Sequence, residues 1–368
     1  MERASGDLLP EGLEDRLPGE AARFVRLMRA ILSVMDSHGY DRVDPPLIEF
    51  ERSFAGRMDG VETRRMFRFV DPASYRTLAL RSDITPQVGR IAATSLAGAA
   101  RPLRLCYAGP VVTMRGDGLD PARERSQLGA ELIGNDSVAA AAEIVALAVE
   151  ALEAAGARGI SVDFTMPDLV DTLARDALPL DEGQIAGVRR ELDAKDAGGL
   201  KDAGGEAYLP LLYATGPFED AIACLSSLDA GGALASRIEG FRAIAAAVGD
   251  RARVTLDPTE RHGFEYQTWF GFTIYADGVR GAMGRGGTYR IAGRDEAATG
   301  FSLYPEPLAE IVEPGEERLL FLPLGHDAAR AGALRAEGWR TRAALSQGDT
   351  AQTLGCSHTL SDGEAVAL

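Results

Sequence analysis

The feature that most constrains this chain is a succession of short strand-like segments in hairpin order, interrupted by helical blocks. Residues 66–70 (MFRFV) and 77–80 are joined by the turn-forming DPAS. Residues 103–107 and 129–133 flank a glycine- and charge-rich loop at 116–124. Further strand-like stretches lie at 160–164, 253–256, 269–275 and 280–283. Strands in such succession, set apart from helical blocks, predict an α+β fold with an antiparallel sheet flanked by helices. They argue against the βαβ alternation of a Rossmann fold.

The helical blocks are equally legible. Phe24, Leu27, Met28, Ile31, Leu32 and Met35 recur at helical spacing within residues 18–38, and Gly39 ends the pattern. The most apolar stretch, 138–155, carries Glu143, Glu150 and Glu153, so it reads as an amphipathic helix and not a membrane span. Asn135 and Asp136 stand where a cap for it is expected. Residues 167–248 are mostly helical with glycine breaks at 198–199, 204–205 and 231–232, the pattern of an insertion between sheet strands. From Arg318 the chain reads strand (LLFLPL), helix (328–337), strand (WRTRAAL), a short helix near 349–354 and a final strand. The expected division is a main domain over residues 1–315, with the helical insertion at about 167–250, and a small C-terminal α/β domain over 316–368.

Composition excludes several classes. A 46% apolar content is that of a water-soluble globular protein. A net charge of −16 opposes nonspecific attraction to nucleic acid, and the densest basic patch, residues 57–68, is short and interrupted by acids. Cys106, Cys224 and Cys356 are widely spaced with no CxxC pair, and the four histidines are scattered, so neither a disulfide framework nor a metal site is indicated. No phosphate-loop signature and no G-x-S-x-G is present. The N-terminal MERASGDLLPEG has no apolar core of a secretion signal, which makes the cytoplasm the default expectation.

Candidate binding residues fall in groups at Asp83/Thr85, Gln127/Glu131 and His262/Glu265/Tyr266. Gln127 and Glu131 are four apart on a strand-like segment, so both face one side of the sheet. Spacing alone suits a solvated acidic face; a buried Glu131 needs a cationic or hydrogen-bonding partner, which a small zwitterion with an imidazole supplies. GRGGTY (284–289) reads either as a tight turn or as a place where backbone approaches a ligand closely. The proline pair in GYDRVDPPLIEF suits either a boundary strand or an ordinary loop entry.

In their order, these segments resemble histidyl-tRNA synthetase over roughly residues 8–310. GYDRVDPPLIEF resembles motif 1 of class II aminoacyl-tRNA synthetases, which implies that Pro46 lies at a dimer interface. LALRSDITPQ resembles the Leu-Arg-Pro-Glu-Gly-Thr segment, implying Asp83 and Thr85 as contacts to a bound amino acid. YAGP with RERSQLGAELIG resembles motif 2 and its continuation, and carries over Gln127 and Glu131. LDAKD (192–196) matches a recurring feature of the family's insertion. RHGFEYQT resembles the histidine-specific motif, aligning His262 with its arginine and Tyr266 with its first tyrosine, and GRGGTY resembles the pocket-flooring strand.

The departures from that pattern bear on function. Thr113 and Pro307 stand where the synthetases hold ATP with arginine. A guanidinium there neutralises phosphate charge and orients the attack on it, and losing one such donor costs on the order of 100–1,000-fold in rate. Residues 318–368 hold five arginines against five acids, unlike the positively biased surface expected of a tRNA-reading module. A family of synthetase paralogues with this pattern is the regulatory subunits of ATP phosphoribosyltransferase. The resemblance implies a non-catalytic protein of the first step of histidine biosynthesis, with histidine as effector and no cofactor or metal. It also implies a short-form catalytic subunit as partner and a homodimer within a hetero-oligomer, with neither nucleic acid nor membrane as partner. The alternative is a divergent histidyl-tRNA synthetase or a histidine-activating ligase.

Overall fold

A computed structural model describes residues 9–55, 66–116, 121–228, 230–261, 267–292, 295–313 and 318–368. The chain forms two compact units, Met1–Val312 and Glu313–Leu368.

In the larger unit, α1 (Pro18–Ser37) starts on a proline, whose missing N–H is one a first helical turn leaves unpaired anyway. Its apolar stripe buries Phe24, Leu27, Ile31 and Met35, each worth about 1.5–3 kcal/mol of transfer free energy. There follow β1 (Asp41–Arg42), β2 (Ile48–Phe50), α2 (Glu51–Ala55), β3 (Arg68–Val70), β4 (Thr77–Leu80) and α3 (Thr85–Ala93). The long hairpin β5 (Leu103–Val112) and β6 (Glu124–Ile133) leads into α4 (Val138–Ala154) and β7 (Ser161–Thr165).

The insertion then runs α5 (Leu169–Asp176), α6 (Glu182–Asp193), α7 (Ala197–Asp202), a two-residue β8 (Gly216–Pro217), α8 (Phe218–Leu228) and α9 (Ala235–Val248). The unit closes with β9 (Arg253–Leu256), β10 (Gln267–Tyr275), β11 (Gly284–Ile291), β12 (Glu296–Leu303) and α10 (Glu306–Ile311).

The main sheet has the order β1-β5-β6-β12-β11-β10-β7-β9-β8. Its six middle strands, from β5 to β7, pair antiparallel; the parallel pairs β1/β5 and β7/β9 lie toward its ends. Strands β2, β4 and β3 form a separate antiparallel sheet. The fold is therefore α+β with a largely antiparallel sheet, as the strand succession predicts.

Period-two alternation gives the main sheet two different faces. On β6, Leu128, Ala130 and Leu132 join α1, α4 and the insertion helices in the large apolar core. The alternate residues of β5, β6 and β11, among them Leu105, Ile133 and Ile291, face α3 through Ile84, Val88 and Ala92. Gln127 and Glu131 share that second face, and both are buried.

Three local readings are decided by the backbone and its hydrogen bonds. Residues 280–283 are not a strand: Gly278 and Gly281 adopt positive φ in a turn, and β11 starts at Gly284. GRGGTY is therefore strand and not a tight turn. Ser137 caps α4, accepting from the Ala140 amide, while Asn135 acts one step earlier by accepting from Ser137 N.

In the smaller unit, β13 (Leu319–Leu322), α11 (Ala328–Ala336), β14 (Arg340–Ala343), β15 (His358–Ser361) and β16 (Glu364–Ala367) form a four-stranded sheet, ordered β14-β13-β15-β16. Leu320 and Leu322 pack on Ala331 and Leu334 of α11, and Leu319 and Phe321 pack on Ala351 and Cys356. The stretch 349–354 contains no helix; the Asp349 carboxylate takes the amides of Leu345 and Ser346 in the turn before it. No helix among the described residues is long and apolar enough to cross a membrane.

Candidate functional site

Strand register builds a trench on the α3 face of the sheet. Glu131 on β6 stands opposite Gly300 on β12, which pairs with Gly287 on β11, then Gly271 on β10, then Thr165 on β7. Three successive strands thus place glycine in one cross-strand row about 10 Å long at the usual strand spacing, with the Glu131 carboxylate over Gly300 at one end and the Gln267 side chain over Gly271 at the other. A Cβ on Gly300 would run into the Glu131 carboxylate, and one on Gly287 would strike the Phe270 carbonyl. The open space above this row is about 270 Å³ and is lined at its ends by Glu131 and Gln267. Gln267 donates to the Gly286 carbonyl at 2.8 Å, while Arg285 and Tyr289 project from β11 on the same side.

Glu131 is 1% exposed. Its carboxylate accepts from the Tyr289 hydroxyl at 2.7 Å and from the Tyr107 hydroxyl at 3.3 Å. Burial pushes its pKa up to about 8, with the hydroxyls of Tyr289, Thr85 and Tyr107 pulling the other way and the Asp83 charge adding to the rise. Tyr107 is also 3.0 Å from the Thr85 hydroxyl and 3.1 Å from the Ser302 hydroxyl. Burial holds its phenol well above the ordinary range, so it stays protonated. It can cross this space because its neighbour on β6, Gly129, carries no side chain.

Gln127 is fully buried and knits the start of α3 to the sheet. Its amide nitrogen donates to Asp83 Oδ1 and Ser302 Oγ, each at 2.7 Å, and its oxygen accepts from Ile84 N at 2.9 Å. Asp83 in turn accepts from Thr85 N at 2.9 Å, which puts its carboxylate at the N-terminal end of α3, where negative charge is favoured.

The structure therefore brings Asp83, Thr85, Gln127 and Glu131 into one hydrogen-bonded cluster beside the glycine trench. His262 and Tyr266 lie outside the described residues. Sequence reasoning missed Tyr107, Ser302, Tyr289, Gln267 and Arg285 as pocket residues. Tyr107 and Tyr289 sit inside quoted motifs (YAGP and GRGGTY), and alternation from Gly287 was a usable signal for Tyr289. Ser302 had no local signal. An acceptor-rich, partly closed site with bare backbone beside it can hold a small molecule carrying a cationic or donor group. No group of three or more metal-ligating side chains is assembled among the described residues.

Thr113 and Pro307, where the resemblance implies arginine, sit among contacts of the chain's own making. Thr113 follows β5, donates its backbone N–H to the Arg123 carbonyl and turns its hydroxyl to the Arg115 carbonyl. Pro307 lies in the first turn of α10. Beside it, Glu306 accepts from Arg16 at 2.9 Å and from the Ser126 amide, and Arg125 lies 5.5 Å from the Tyr304 ring centroid.

Pro46 is exposed; its carbonyl accepts from Gln87 Nε2 at 2.7 Å. The neighbouring Pro45 carbonyl accepts from the buried Arg81 at 2.8 Å, and the same guanidinium donates to Pro110 O at 2.7 Å. Leu47, Ile48, Phe69 and Val70 remain exposed on or next to the small sheet.

Comparison with known proteins gives a consistent picture. The family described as Histidyl-tRNA synthetase matches residues 12–308. An ATP phosphoribosyltransferase regulatory subunit of Rhodospirillum centenum is 41% identical over 367 residues, covering 97% of this chain and 95% of that protein. A protein of the same name from Paramagnetospirillum magneticum is 40% identical, covering 98% of this chain and 97% of its own. Among solved structures, an ATP phosphoribosyltransferase regulatory subunit/histidyl-tRNA synthetase of Bacillus halodurans superposes with a TM-score of 0.80 at 23% identity, covering 96% of this chain and 97% of that one. A histidyl-tRNA synthetase of Nostoc sp. PCC 7120 superposes with a TM-score of 0.78 at 16% identity, covering 96% and 90%. At such identities these two structures speak to the fold alone.

Proposed function

We infer the function from the premise that this chain belongs to the ATP phosphoribosyltransferase regulatory subunits, a family built on the histidyl-tRNA synthetase fold. The protein is a regulatory subunit of ATP phosphoribosyltransferase, acting in the first step of histidine biosynthesis and not itself performing catalysis. The phosphoribosyl transfer belongs to a short-form catalytic subunit bound to it, and histidine is the effector that occupies the trench beside Glu131. Asp83, Thr85, Gln127 and Glu131 are the described contacts to it, with His262 and Tyr266 as further contacts carried by the family motif. The exposed segment at Pro46, with Leu47 and Ile48 beside it, is the homodimer contact within a hetero-oligomer. The cytoplasm is the proposed location.

One contrast within the site carries this reading. Asp83, Thr85, Gln127 and Glu131 form one largely buried hydrogen-bonded cluster, whereas Thr113 and Pro307 stand where the resemblance implies the arginines that ATP activation needs. A pocket that binds without neutralising triphosphate charge serves sensing better than adenylation. The test is histidine-dependent exchange of pyrophosphate into ATP by the pure protein, alongside co-purification with the catalytic subunit with and without histidine. No exchange and a stable complex are expected; robust exchange would return the protein to the ligases.

A further inference from the structure

We propose that Arg285 is the specificity-determining residue of the glycine trench, holding the carboxylate of an amino acid whose donor groups face Glu131 and Asp83. This deepens the proposed function and rests on histidine being the trench ligand.

Period-two alternation fixes where the charges stand. Glu131 and Gln127 of β6, Gly300 and Ser302 of β12, and Gly287 and Arg285 of β11 all face the trench side of the sheet. Arg285 pairs with Ser302 in the row next to the glycines, with Thr273 of β10 on its other side. Glu131 and Arg285 are thus two strands apart and two residues out of line, which sets their Cα atoms roughly 12 Å apart at the usual spacings. Between them lie Gly300 and Gly287, neither with a side chain to fill the gap. The Glu131 carboxylate reaches in over Gly300 from one end, and the half-buried Arg285 lines the same space from the other.

The second acid, Asp83, stands close to the Arg285 end. Gln127 Nε2 donates to Asp83 Oδ1 and to Ser302 Oγ, each at 2.7 Å, so one amide group separates Asp83 from the register partner of Arg285. Tyr304, two residues beyond Ser302, senses both charges. Burial pushes its phenol up; the Asp83 charge adds to the rise, and those of Arg125 and Arg285 oppose it. An acid and a guanidinium that act on one hydroxyl suit the amino and carboxylate groups of an amino acid, which share a carbon. Glu131 is left to the donors of its side chain.

The charge balance of the trench agrees. Among the described residues that line it, Arg285 is the one cationic side chain and Glu131 the one acid. A planar guanidinium matches a single carboxylate in bidentate fashion. An analogue without the carboxylate brings no anion to that fork, and a site built around a polar contact discriminates against ligands that lack it.

The test is calorimetry on the full chain with histidine and with histidinol, which keeps the amino group and imidazole but carries a hydroxymethyl in place of the carboxylate. Wild type should bind histidine at least about tenfold more tightly than histidinol, the scale of a charge-assisted hydrogen bond. Arg285→Gln should weaken histidine about tenfold and leave histidinol within about threefold, so that the preference disappears. Arg285→Lys, which keeps the charge without the fork, should fall between. A merely structural arginine would weaken both ligands alike, and that outcome would overturn the proposal, as would a preference that survives in Arg285→Gln. Equal binding of the two ligands by wild type would overturn it without any substitution, while leaving the histidine reading in place. Failure of wild type to bind histidine would instead sink that reading, and this inference with it.

Discussion

Glu131 and Gly300 face each other across β6 and β12, and the missing side chain of Gly300 is what gives the Glu131 carboxylate its place. The carboxylate lies over the partner strand's backbone, held by two tyrosine hydroxyls, at the head of a row of glycines. The acid and the glycine are one feature, and neither works without the other.

Gly300→Ala is therefore expected to do more than trim the pocket. Its methyl group would occupy the carboxylate's position, and overpacking of a buried site costs about 1–3 kcal/mol. Thermal denaturation should show a lowered melting temperature, and calorimetry a loss of histidine binding larger than the stability change explains.

The ionisation of Glu131 gives the protein a pH signature. With its folded pKa raised from 4.5 to about 8, the folded state keeps a proton that the unfolded state releases. Below pH 4.5 both states hold the proton; between 4.5 and 8 stability falls as pH rises, by at most roughly 1.4 kcal/mol per unit. Above pH 8 this contribution is constant. Glu131→Gln should remove that slope, leaving the ligand-free protein more stable than wild type near pH 8 in denaturant titrations. A cationic ligand favours the carboxylate, so histidine binding near pH 7 should release a proton, seen as a buffer-dependent enthalpy that Glu131→Gln abolishes.

Arg81 is a buried clamp. It ties Pro45 and Pro110 carbonyls together and approaches Gln87 Oε1 at 3.4 Å, while burial lowers its pKa. Arg81→Met would leave those carbonyls short of donors in the interior, at a cost of about 2–4 kcal/mol. The expected outcome is a clear fall in urea midpoint, with the Pro46 segment more open to limited proteolysis than in wild type.

The small sheet β2-β4-β3 exposes Ile48 and Val70, and Leu47 and Phe69 are exposed beside them. By register Ile48 and Phe69 share one face of that sheet and Val70 the other, and an exposed apolar face is costly in water unless covered. If it is the proposed homodimer contact, Ile48→Asp should shift the protein toward monomer in sedimentation without changing its helix content by circular dichroism. An unchanged dimer would move the contact elsewhere.

How far the site was legible follows from the range of its interactions. Gln127 and Glu131 could be set on one face because a strand repeats every two residues. Asp83 and Thr85 were identifiable through a motif that brackets the start of a helix. Ser302, by contrast, joins Gln127 and Tyr107 from 175 and 195 residues away. Lys195 meets Asp257 across 62 residues. No local pattern announces such pairs.

By itself, then, the order of residues determined the elements and their faces: the apolar stripe of α1, the alternation along β6, and the succession of strands that makes the sheet antiparallel at its centre. These are short-range consequences of backbone sterics and side-chain periodicity. Only the tertiary structure decided that three glycines from three strands align into a trench, that Glu131 is buried at its head, and that Lys195 of the insertion meets Asp257. Register between distant strands is set by the packing of the whole sheet, and burial, which raises the Glu131 pKa, exists only once that packing is complete.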